Sequence, residues 1–118
     1  MSAASTSVTL EAWLEEQLGT APPELAETIR SLLGGVPERG VEGLVTVALD
    51  AFETVANGLA TRSTAPTLLA ADAILTYAFE AAADPRLGGS AARAIRLAEW
   101  VGPHGRIGAR FGAMKEAE

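Results

Sequence analysis

Cysteine is absent from this 118-residue chain. That excludes disulfides, thiolate metal sites and cysteine nucleophiles. Aromatic residues are scarce, at 5%, although 48% of the chain is hydrophobic. Alanine and leucine therefore carry the apolar content, a balance that favours closely packed helices over strands. No strand-like alternation and no internal repeat competes with that reading. His104 is the only histidine and has no acid at a diagnostic spacing, so no nucleophile-and-base arrangement is visible. The leading residues Met1 to Ser7 carry no positive charge and no apolar core. They do not make a secretory signal, and residues 1–8 read as a short disordered lead to a single helical domain over 9–118, in a cytoplasmic protein.

Charge is short in one sign only. The net charge of −6 argues against non-specific nucleic-acid binding. Residues 1–85 hold 3 basic and 12 acidic side chains, whereas residues 86–118 hold 6 basic and 3 acidic ones. Two solvated faces of opposite sign that attract each other account for this asymmetry most simply. A basic patch for a partner or a phosphate is the sharper alternative.

The apolar spacing divides the chain into helices. Thr9 caps a first helix to about Leu18, with Leu10, Trp13, Leu14 and Leu18 as its stripe and Gly19 as its stop. Pro22-Pro23-Glu24 opens a second, striped by Leu25, Ile29, Leu32 and Leu33 and ended by Gly34-Gly35. A third runs from Glu38 or Val41 to Leu59, with an apolar face broad enough for a central place in a bundle. A fourth covers 65–83, with Pro66 in its first turn. Asp84-Pro85-Arg86-Leu87-Gly88-Gly89 breaks the chain. Ser90 caps a fifth helix, Ala91 to Val101, expected to turn Ala94, Ile95, Leu97, Ala98 and Val101 inward and Arg93, Arg96 and Glu99 outward. Ile107, Phe111 and Met114 give a last segment helical spacing. Its glycines 105, 108 and 112, at about 1 kcal/mol each relative to alanine, require a packing surface. The expected fold is all-α, a helical bundle of about five to six helices.

The stretch 65–83 is apolar on almost every side, and such a helix must be enclosed by protein or lipid. A membrane span is nearly long enough but contains Asp72 and Glu80, and a central aspartate costs about 2.5–3.5 kcal/mol on insertion. A buried helix is the expectation, with Asp72 hydrogen-bonded to another helix's cap or to an arginine, a ligand contact being the minority alternative. Asp50 and Glu53 lie three apart, but one such pair without a second cluster is ordinarily a solvated face. The glycine pairs at 34–35 and 88–89 follow helices rather than strands, so they read as stops, not phosphate loops.

Leu68-Leu69-Ala70-Ala71-Asp72-Ala73-Ile74-Leu75-Thr76-Tyr77-Ala78-Phe79-Glu80 closely resembles the "LAGDALLTYAFE" helix of the trans-isoprenyl diphosphate synthases, the polyprenyl synthetase family. Ala94 to Gly108 resembles the stretch leading to that family's "GPxGMVGGQ" segment, and Leu32-Leu33-Gly34-Gly35 the helix end before its "GGKRLRP". The likeness is specific over residues 65–112, loose over 8–60, and spans the N-terminal half of a full synthase. Departures are equally specific. Asp50, Asp72 and Asp84 are never adjacent, so neither "DDxxD" magnesium motif exists. Gly35-Val36-Pro37-Glu38-Arg39 replaces the diphosphate-gripping loop without its lysine, and Arg110 stands where the "GGQ" glutamine falls.

Prenyl transfer needs magnesium on the leaving diphosphate. The resemblance therefore implies part of the isoprenoid synthase fold without catalytic, metal or cofactor-binding residues of its own. It implies a non-catalytic small subunit of a heteromeric polyprenyl diphosphate synthase, partnered by a full-length catalytic subunit. The alternative is a homo-oligomeric module that pairs with itself and holds an isoprenoid or another apolar ligand. In either case Leu68, Leu69, Asp72, Leu75, Thr76 and Phe79 are the expected interface. No nucleic acid and no membrane span is expected.

Overall fold

A computed structural model describes residues 7–34, 40–58 and 64–102. Among them are five α-helices and no strand, an all-α bundle. The helices are α1 (Leu10–Thr20), α2 (Pro23–Leu33), α3 (Val41–Asn57), α4 (Ala65–Ala83) and α5 (Ala91–Val101), with a 3₁₀ turn at Pro85–Leu87. The expected sixth segment lies outside the described residues.

Most boundaries follow from local chemistry. The Thr9 hydroxyl accepts from the Ala12 N–H at 3.0 Å, and the Ser90 hydroxyl from the Arg93 N–H at 3.1 Å, each satisfying one orphan donor of a first turn. Gly34 ends α2 in the left-handed region, at φ +64°, donating its N–H to the Arg30 carbonyl. One expected stop fails. Helix α1 runs through Gly19 to Thr20, and Ala21 is extended because it precedes Pro22. A lone glycine only weakens a helix, whereas the ring of Pro22 disfavours a helical conformation in the residue before it. Val8, at the end of the expected lead, is half-buried and donates its N–H to the Arg86 carbonyl at 3.1 Å.

The hub is α4. It packs along much of α3, and also against α2, α5 and α1. The broad apolar face of α3 suggests a central place for that helix, but α3 packs chiefly on α4. Its buried run ends at Ala51, and Phe52 and Val55 are only half-buried. On α4 the buried positions are Ala70, Ala71, Ile74, Ala78, Ala81 and Ala82. Five alanines and one isoleucine leave room for four neighbours to approach, and alanine costs the helix nothing in propensity. Large side chains from the neighbours fill that room. Ile29, Leu44, Val45 and Leu49 are fully or almost fully buried, as are Trp13, Leu14 and Leu18 from α1. Each contributes about 1.5–3 kcal/mol relative to an exposed position.

In α5 only Leu97 and Val101 are buried, with Ala94 and Arg93 half-buried beside them. Ile95 is 61% exposed and Ala98 is exposed, contrary to the inward role expected for both. At about 100° per residue, 93, 94, 97 and 101 form one narrow stripe, and 95 and 98 fall outside it. No described helix is long and apolar enough to cross a membrane.

Candidate functional site

The strip of α4 that its four neighbours leave uncovered faces solvent. At about 100° per residue, Leu75, Leu68, Phe79, Asp72, Thr76 and Leu69 fall in an arc of about 120°, whose Leu75 edge adjoins the buried Ala82. Leu68 is 45% exposed and Leu69 63%. Asp72 and Thr76 are exposed, and Leu75 and Phe79 are half-buried at the rim of the core. So α4 is not enclosed all round by the described residues. Leu68 and Leu69 are the large apolar side chains of this side that the described residues leave mostly uncovered.

Asp72 corrects one expectation. Its carboxylate has no hydrogen-bond or ion-pair partner among the described residues and lies in solvent, not against a cap or an arginine. Hydration replaces the partner that burial would have required. The neighbouring Thr76 hydroxyl donates to the Asp72 main-chain carbonyl at 3.0 Å, so that side chain is satisfied within the helix.

Leu69 also belongs to a cleft of about 460 Å³ between the starts of α2 and α4, lined by Pro22, Glu24, Leu25, Glu27, Thr28 and Pro66. A second cleft, of about 420 Å³, lies between the start of α3 and α5, lined by Val41, Glu42, Arg93, Arg96, Leu97 and Trp100. One of its guanidinium groups is anchored, since Arg93 donates to the Leu87 carbonyl at 3.4 Å.

A fourth feature escaped sequence reasoning. The Trp13 indole N–H donates to an Asp84 carboxylate oxygen at 2.9 Å, across 71 positions of chain. The same carboxylate caps the 3₁₀ turn by accepting the Arg86 N–H at 2.8 Å, and it pairs with the Arg86 guanidinium at 3.0 Å. Arg86 also reaches Glu16 on α1, at 3.3 Å. These donors hold the Asp84 carboxyl down at about 2, the Arg86 side chain first, its backbone N–H next, with the indole adding to them. Tyr77 meets Trp13 edge-on, ring centroids 6.1 Å apart and planes at 87°, and burial, then the Glu80 charge, raises its phenol. The Asp-Pro-Arg order signals a capped turn, but nothing local to it points to Trp13. The Glu16–Arg86 pair links one acid of α1 to the first basic residue of the 86–118 stretch.

Among the described residues no group of three or more His, Asp or Glu is placed to hold a metal ion. Asp50 is exposed and Glu53 half-buried on α3. Arg39, His104, Arg106 and Arg110, and the stripe Ile107, Phe111 and Met114, lie outside the described residues. What the described residues offer is a surface for binding: an apolar helix face with two clefts beside the bundle. Neither protein-family models, nor curated proteins, nor solved structures give a match to this chain.

Proposed function

We propose that the chain is a non-catalytic subunit that assembles, through the outer side of α4, with a catalytic polyprenyl diphosphate synthase. The observation that carries the assembly part is that Leu68 and Leu69 stand largely in water, with Asp72 and Thr76 exposed between them and Leu75 and Phe79 half-buried where the same arc meets the core. An apolar helix face left open beside a packed core is a surface for another chain. The choice of partner rests on the resemblance of residues 65–83 to a synthase helix. The non-catalytic role rests on the missing aspartate pairs and lysine.

Co-expression with a full-length trans-polyprenyl diphosphate synthase carrying both aspartate-rich motifs tests this. The expected result is a complex that survives size-exclusion chromatography and changes the enzyme's rate or product length. Leu68→Asp should abolish the complex while the isolated chain keeps its helical circular dichroism. A chain that stays monomeric at micromolar concentration and leaves such enzymes unaffected sinks the proposal. Self-association through the same arc would favour the homo-oligomeric reading instead.

A further inference from the structure

The cleft between α2 and α4 shares Leu69 with the proposed interface, so the partner chemistry inferred from it rests on that reading. Its apolar lining is Pro22, Leu25, Pro66 and Leu69. Its polar rim is acidic. Glu24 and Glu27 line it, and both are exposed. Asp72 stands one turn beyond Leu69, and Glu80 lies further along the same side of α4. None of these four carboxylates has an ion-pair partner among the described residues. Helix α4 contains no basic residue, and the only one on α2, Arg30, is engaged by Glu15 of α1 at 3.1 Å.

An apolar strip edged by unanswered negative charge discriminates between occupants. A second copy presenting the same face would set Asp72 and the glutamates against their own kind, and like charges across an interface are unfavourable. An acidic or neutral helix would bury apolar area but leave the rim uncompensated. The geometry points to an amphipathic helix with an apolar stripe at i, i+3 or i+4, i+7 and lysine or arginine on its flanks. Such a helix seats its stripe on Leu25 and Leu69 and its cations beside Glu24, Glu27 and Asp72. This is the helix-in-groove mode of recognition, with charge setting specificity and encounter rate.

The test uses the full chain and two labelled synthetic amphipathic peptides with one leucine stripe, flanked by lysine in one and by glutamate in the other. Binding is followed by fluorescence anisotropy. The lysine peptide should bind at least about tenfold more tightly than the glutamate peptide at low salt, a preference that shrinks at about 0.5 M salt as screening sets in. The double variant Glu24→Lys/Glu27→Lys should erase or invert the preference. Glu11→Lys/Glu99→Lys, the same charge change at exposed positions outside both clefts, should leave it within about twofold, which separates rim recognition from attraction to the net charge. Leu69→Ser should weaken both peptides.

Equal effects of the two lysine pairs, or equal binding of the two peptides, overturn the proposal. So does a gain in affinity for the lysine peptide when Arg106 and Arg110 are changed to glutamate, because the chain's own basic segment would then be the occupant. The broader interface reading is judged separately, by whether Leu68→Asp, on the opposite edge of the arc, breaks the complex with a synthase.

Discussion

At the scale of single residues, Asp84 concentrates more of the fold than any other polar group described. It caps a turn, pairs with Arg86 and receives the Trp13 indole, so one carboxylate joins the end of α4 to α1. Its pKa is depressed to about 2, against about 3.9 in an unfolded chain. A group depressed on folding contributes stability that is present above the unfolded value and lost as pH falls through the folded one. Melting temperature should therefore drop between about pH 4 and pH 2, and Asp84→Asn should flatten that acid limb while lowering stability at neutral pH. Thermal denaturation of both proteins across that range checks it; identical acid limbs would rule out this role for Asp84. Nothing local announces it. Asp-Pro-Arg is legible as a turn, but the tryptophan that completes the site is 71 positions away, and only packing brings it there.

At the scale of elements, the sequence is informative where side chains act on their own backbone. Thr9, Pro23, Gly34, Pro66 and Ser90 mark ends that the structure keeps within a residue or so. It misleads where two local rules compete, as at Gly19 against Pro22. It also misleads where a face is chosen by neighbours, as for Ile95 and Ala98 of α5. Helix α4 is the extreme case. Apolar residues occur all round it, so periodicity is silent on which side is buried, and the alanines pack inward because their size admits α2, α3 and α5 together. The two sides should respond differently to truncation. Ile74→Ala, in the fully buried side, should cost about 2–5 kcal/mol. Leu68→Ala should cost no more than about 0.5 kcal/mol in the isolated chain. Urea denaturation of the two variants makes the comparison, and a large loss for Leu68→Ala would mean that α4 is covered on both sides within the chain. Ser90→Ala, which removes the N-terminal cap of α5, should lie between, at about 1 kcal/mol, by the same measurement.

At the scale of the whole molecule, the five described helices form one bundle around α4 that leaves its strip of Leu68, Leu69, Asp72 and Thr76 exposed. Sedimentation at increasing concentration should return a monomer for the chain alone, because the acidic edge of the open face works against pairing with itself. A stable dimer lost in Leu68→Asp would transfer the interface to the homo-oligomeric alternative. The tie between Trp13 and Asp84 also sets an order of events during biosynthesis. At about 5–20 residues per second, Asp84 is added roughly 4–14 s after Trp13. Throughout that interval α1 has neither the carboxylate for its indole nor Arg86 for Glu16, and for most of it Tyr77, the ring that Trp13 meets edge-on, has not been added. Helix α1 is therefore not fully tied down until the far end of α4 has been made.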